Sequence, residues 1–233
     1  MKKIALLRYF SLFEISLWTG SLLLILISHF VFKTSDILSL CASIIGATSL
    51  IFCAKGNPIG QILMIIFSIL YGIISYSFSY YGEMITYLCM TLPMAVFSLI
   101  SWLRNPYNGR VSEVRVNNIS LKETVFSVFL TLIVTLIFAF ILKELGTANL
   151  ITSTFSVTTS FFAAYLTFRR SPFFALAYAT NDIVLIILWI FAALEDISYL
   201  SVIICFIVFL FNDLYGFISW LKMEKKQKNG NHN

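Results

Sequence analysis

Two Asn-Asp pairs stand inside apolar sequence: Asn181-Asp182 in YATNDIVLIILW and Asn212-Asp213 in SVIICFIVFLFNDLYGFISW. A charged residue at the centre of a spanning helix costs about 2.5–3.5 kcal/mol on insertion scales, so such residues usually face a bundle interior and mark a pathway. Two carboxylates can share a proton, hydrogen-bond to neighbouring amides, or meet a cationic ligand. Rings accompany them. Tyr178 lies one turn before Asp182 and Trp189 two turns after it, on the same side of a helix. Tyr215 neighbours Asn212 at a spacing of three and lies on a different face from Asp213. Gln61 and Tyr87 add polar groups from earlier in the chain, with Pro93 expected to kink its segment. Carboxylates, amides and rings suit a flat cationic ring that carries hydroxyls, because rings attract cations and carboxylates or amides bind a ribose diol. The plainer alternative is a set of interhelical hydrogen bonds and interfacial aromatics, the reading taken for Trp102 and Trp220.

The elements that position these residues are membrane helices. The chain has 233 residues, 59% hydrophobic and 12% charged, where a soluble domain has about 25% charged. About 20 apolar residues cross a bilayer core. Eight segments qualify, at 11–32, 37–54, 58–79, 83–103, 124–142, 148–168, 172–194 and 197–221. Asp182 and Asp213 then lie at depths of about 15 and 12 Å from the same end of adjacent antiparallel helices, so both side chains are expected to face one cavity. Segment 11–32 follows two lysines but no small-residue cleavage site follows it, so it reads as a retained helix, its span least certain at Glu14.

With the N-terminus inside, 14 of the 16 basic residues fall on the inner side, among them Lys2, Lys3, Arg8, Lys55, Arg104, Arg110, Arg115, Arg169 and Arg170. Lys33 and Lys143 fall outside, with Asp36, Glu83, Glu144, Glu195 and Asp196 in outer loops. Both termini are then cytoplasmic, and the Asn118-Ile119-Ser120 sequon lies on the wrong side for glycosylation. The net charge of +5 thus marks a membrane side, not a nucleic-acid partner. Cys41, Cys53, Cys89 and Cys205 read as small buried hydrophobes. With His29 and His232 far from them, no metal site or other cofactor is expected, and no nucleophile motif or phosphate loop points to an enzyme.

The sequence also repeats. FSLISWL (97–103) and YGFISWL (215–221) each end a segment before basic residues, and Lys55-Gly-Asn-Pro58 and Arg169-Arg-Ser-Pro172 each precede one. Two three-helix copies joined by one helix start on the same side, the parallel arrangement of SWEET-type transporters. The expected fold is all-α and integral to the membrane: an extra N-terminal helix (1–35), a first repeat (36–104), a loop and linker helix (105–145), a second repeat (146–222) and a polar tail (223–233).

GQILMIIFSILYGII, NDIVLIILW and NDLYGFISWLK within this 3+1+3 pattern resemble the PnuC vitamin transporters over about 37–221. The resemblance implies facilitated diffusion of nicotinamide riboside, or of another riboside, a deoxynucleoside or thiamine. It also implies alternating access and a cytosolic kinase that traps the substrate. Asn181 matches the family's seventh-segment Asn. Tyr178 stands where members often carry Trp, and Thr86, Tyr87 and Thr91 stand near a missing amide. The expected site is Asn181, Asp182, Asn212, Asp213, Tyr178, Trp189, Tyr215, Gln61 and Tyr87. The expected partners are a small-molecule substrate and the lipid bilayer. Assembly into a homo-oligomer and coupling to protons stay open.

Overall fold

The computed structural model describes residues 9–32, 37–77, 81–147 and 149–230. Lys2, Lys3, Arg8, Lys33, Asp36 and His232 lie outside the described residues. The chain is a bundle of long helices: α1 (Leu12–Val31), α2 (Ile37–Ala54), α3 (Ile59–Ser77), α4 (Tyr81–Ile85), α5 (Leu92–Arg104), α6 (Leu121–Glu144), α7 (Leu150–Phe168), α8 (Phe174–Ala193) and α9 (Leu200–Gly230). A π-helical stretch, Thr86–Thr91, joins α4 to α5 as one spanning element. Among the described residues, seven helices are long and apolar enough to cross a membrane. The eighth, α7, falls short because it carries Thr152, Ser153, Thr154, Ser156, Thr158, Thr159, Ser160 and Thr167. Several of these hydroxyls turn back onto their own helix: Thr154 onto the Leu150 carbonyl, Thr158 onto Thr154 and Thr167 onto Ala163. Polarity satisfied within the helix is tolerated in a bilayer.

α1 begins with a capping box. The Glu14 amide donates to Ser11 Oγ at 3.2 Å and the Ser11 amide donates to Glu14 Oε2 at 2.6 Å, satisfying two donors that the helix cannot. Lys55 pairs with the same carboxylate at 3.3 Å. Glu14 is thus a buried, well-partnered start to the helix. α9 runs past its apolar part to Gly230, so the expected polar tail is helical over most of its length. Lys and Glu are good helix formers, and Lys228 bonds Glu224 one turn back at 2.5 Å. Loop 105–120 holds a short hairpin, Pro106–Tyr107 against Arg110–Val114. Gln227 of α9 fastens it, accepting from the Val116 amide at 2.9 Å and donating to the Val114 carbonyl at 3.0 Å.

One set of hydrogen bonds occurs twice at the end bearing Lys55, Arg104, Arg169 and Arg170, the basic end. The Trp220 indole donates to the Cys53 carbonyl at 2.8 Å, and the Trp102 indole donates to the Thr167 carbonyl at 2.9 Å. Cys53 lies five residues before Pro58, and Thr167 five before Pro172. Ser219 likewise donates to Ala54 and Ser101 to Phe168, both at 2.7 Å. Gly56 and Arg170, two residues before each proline, both take left-handed φ, +64° and +57°. The strain of that conformation at a non-glycine is offset at Arg170, whose guanidinium donates to Ser101 Oγ at 2.7 Å and the Arg115 carbonyl at 3.2 Å. Trp102 and Trp220 are therefore not interfacial aromatics. They are fully buried and packed on each other at 5.4 Å, with Phe174 against both. Each indole is bonded to the last turn of a neighbouring helix, Trp220 to α2 and Trp102 to α7.

Candidate functional site

Asp182 on α8 and Asp213 on α9 are both buried, and their carboxyl groups lie within interaction range of each other. Neither faces lipid. α8 and α9 pack closely, and Ala175 lies against Gly216 at this contact. Asp182 Oδ2 has no hydrogen-bond partner among the described residues, and neither carboxylate forms an ion pair among them. A buried anion without a basic partner is costly unless something else binds it.

Tyr178 and Tyr87 stand beside the pair. Tyr178 is within electrostatic reach of both carboxylates, and Tyr87 of Asp182. Tyr87 belongs to a cluster with Tyr71 (4.3 Å between ring centres) and Phe67 (5.9 Å), continued by Phe206 and Phe209 of α9. Gln61 reaches the site through a neighbour: its amide contacts Cys53 Sγ at 3.3 Å, and Cys53 lies near Asp213. Asn181, one position on, faces α7, where Thr159 and Ser160 donate to its Oδ1 at 2.8 and 2.9 Å. Its side-chain N–H groups are separate donors on the same amide. Trp189 sits towards the opposite, acidic end, against Tyr199 at 5.4 Å and beside the Tyr71 hydroxyl.

Two expected members turn elsewhere. Tyr215 donates to Glu14 at 2.7 Å, and Asn212 donates to Ser21 at 2.9 Å and to its own Val208 carbonyl at 2.8 Å. Both face α1, because on a helix residues 212 and 215 share a side that residue 213 does not. The polar side chains of α1 thus fix two groups assigned to the site from spacing alone. Two cavities that meet at Trp189 are lined by residues other than the carboxylates. Rings from α3, the π-stretch and α9 fill the centre instead, so a substrate there must displace them. The π-stretch absorbs the expected Pro93 kink: the Leu92 amide donates to Tyr87, five residues back. Such bulges often lie at functional sites.

Sequence reasoning missed Glu83. It was assigned to an outer loop, but it lies in the first turn of α4, buried, within reach of Tyr71 and Tyr87. The preceding Gly82 is helical and allows a close approach: a Cβ there would lie 2.6 Å from Thr147 Oγ1.

Comparison with known proteins agrees with this architecture. A solved structure described as the vitamin B3 transporter PnuC superposes with a TM-score of 0.79 over 94% of both chains, at 24% identity, a likeness of fold. The nicotinamide riboside transporter PnuC of Neisseria mucosa is 25% identical over 201 residues, 84% of this chain and 76% of that protein. Residues 36–222 match the family model described as nicotinamide mononucleotide transporter, a span that holds both carboxylates and every long helix except α1. The chain therefore belongs to that family of multi-pass membrane transporters.

Proposed function

We propose that this protein imports nicotinamide riboside by facilitated diffusion, with the substrate held at the Asp182–Asp213 pair. The family model's description names the mononucleotide and the Neisseria mucosa relative's name gives the riboside. The two differ by a phosphate. The carrying observation is that Asp182 and Asp213 face each other with no basic side chain paired to them among the described residues. A phosphate needs Arg, Lys or a helix N-terminus, and two carboxylates repel it. A pyridinium ring and ribose hydroxyls fit the same groups well. Tyr178 and Tyr87 supply ring contacts, Asn181 and Gln61 supply amides, and Trp189 stands on the approach.

The doubled hydrogen bonds of Trp102 and Trp220 support two parallel three-helix repeats, 36–104 and 146–222 in the SWEET-like order. Residues 1–35 add an N-terminal helix, 105–145 link the repeats, and 223–233 trail from α9. Rocking of one repeat against the other exposes the site to each side in turn. The gathering of basic residues at the Trp102–Trp220 end supports a plasma-membrane orientation with both termini cytoplasmic. There a cytosolic kinase traps the riboside. α6 exposes Phe126, Phe129, Leu132, Leu136 and Phe140 to its surroundings, a face for lipid or for a second copy in a homo-oligomer.

Calorimetric titration of purified protein with nicotinamide riboside, nicotinamide mononucleotide, thiamine and a deoxynucleoside tests the assignment. The riboside binds, and the mononucleotide binds at least a hundredfold more weakly. Equal or tighter binding of the mononucleotide, or preference for thiamine, overturns it. The paired carboxylates also favour a second reading, proton-coupled uptake. Uptake into proteoliposomes that is indifferent to an uncoupler excludes that reading.

A further inference from the structure

A second buried carboxylate lies at the acidic end, away from the Asp pair. A cavity of about 170 Å³ opens there between α4, the α6–α7 turn and α8. Its walls include Glu83, Thr147, Ser153, Trp189 and Glu195. Glu83 is only 6% exposed, and its Oε2 has no hydrogen-bond partner among the described residues. Thr147 Oγ1 is likewise without one. Among the described residues, no Lys, Arg or His lines the cavity. A buried carboxylate on the wall of a cavity, without a basic group among the described residues, accepts a cation, and the Trp189 indole on the same wall supplies an aromatic ring of the kind that attracts one. Size restricts the choice. A cavity of about 150 Å³ holds benzene, so this one admits a single six-membered ring and not a ring with its sugar.

We infer that this cavity is a binding site of its own for one planar organic cation, with Glu83 as its counter-charge and Trp189 as its ring partner. Glu83 and Asp182 both lie within reach of Tyr87. One layer of aromatic side chains therefore separates the two sites, and a cationic ring held at the first stands before the second. Only that order of passage rests on the transport reading proposed above. The site itself does not.

The test uses the full chain in detergent and two probes, 1-methylnicotinamide as planar cation and nicotinamide as its neutral counterpart. By calorimetry the wild type binds the cation more tightly than the neutral amide. Glu83→Gln keeps the shape and weakens cation binding at least tenfold, while nicotinamide stays within twofold. Asp182→Asn weakens whatever pyridinium binds at the first site but leaves the Glu83-dependent binding of 1-methylnicotinamide in place. Thr147→Trp fills the cavity from the turn and abolishes it, which keeps the test open if Glu83→Gln does not fold. No binding of 1-methylnicotinamide by the wild type, full binding in Glu83→Gln, or loss confined to Asp182→Asn overturns the inference. Failure of the riboside to bind, with 1-methylnicotinamide retained, defeats the transport reading and leaves this site standing.

Discussion

Asp213→Asn separates binding from structure, because the two effects carry opposite signs. Asp213 is buried on α9 and faces Asp182, and among the described residues no basic side chain pairs with either group. A pyridinium about 4 Å away at an effective dielectric of about 20 would gain roughly 4 kcal/mol from one such charge. Desolvation reduces this, and a hydrogen bond to a charged group is worth about 1.5–3 kcal/mol net. Taking about 2 kcal/mol, Asn at 213 weakens riboside binding by about 30-fold. The empty protein behaves differently. Asn has nearly the shape of Asp and can still donate to the facing carboxyl group, and no basic side chain among the described residues loses a partner, so the fold loses nothing. Calorimetry on purified protein measures the first effect and thermal unfolding in the same detergent the second. The expected result is a 30-fold loss of affinity at an unchanged or higher midpoint. Unchanged affinity shows that Asp213 does not touch the ligand. A lower midpoint together with lost binding shows a structural carboxylate. Either result refutes the site.

Trp220→Phe removes the donor to the buried Cys53 carbonyl (2.8 Å) and costs about 1–3 kcal/mol. Trp102→Phe does the same to the Thr167 carbonyl (2.9 Å), so matched losses in thermal unfolding are expected, and a strongly unequal pair contradicts the repeat. Gly82→Ala drives a Cβ to 2.6 Å from Thr147 Oγ1 and 2.8 Å from Leu142 Cδ2. Overpacking of this kind costs about 1–3 kcal/mol, seen as a lower unfolding midpoint. Arg169→Met removes a half-exposed pair with Glu123 and changes the midpoint by less than about 1 kcal/mol. Gln227→Leu strips the Val116 amide and Val114 carbonyl of their partner, and faster hydrogen exchange over the hairpin measures the release.

Helices and their order were legible because apolar runs of bilayer length leave little choice of structure. The Asp pair was legible too, since two carboxylates in apolar spans at matching depth have few other places to go. The sequence could not show which neighbour each polar group chooses. Asn212 and Tyr215 stand one and two residues from Asp213, yet 100° of helical turn per residue sends them to α1, towards Ser21 and Glu14. Trp102 and Trp220 looked interfacial because they adjoin Arg104 and Lys222, but burial depends on what packs opposite, and each indole faces the other. Glu83 stands at the first residue of its apolar segment (83–103), so it read as an outer-loop acid, while in the fold it lies buried in the first turn of α4.

The doubled and undoubled features together say how such a chain could move. The bonds that repeat are at the basic end: two indoles and two serine hydroxyls on the carbonyls just before each proline turn. The groups that do not repeat are the carboxylates, which come from α8 and α9 alone, and the π-stretch, which lies only between α4 and α5. On the transport reading proposed above, a doubled framework would give two bodies that rock about a common contact, and the single asymmetric centre would hold the substrate with its cation toward the carboxylates and its opposite side toward the Tyr71–Tyr87 rings. The π-stretch is the segment best able to change register, because a wide turn returns to α-helical spacing with the loss of one carbonyl partner. Tyr87 rides on it, so tightening that turn would draw the ring away from Asp182. The step that opens the aromatic layer is therefore expected in the first repeat, while α8 and α9 hold the charge still.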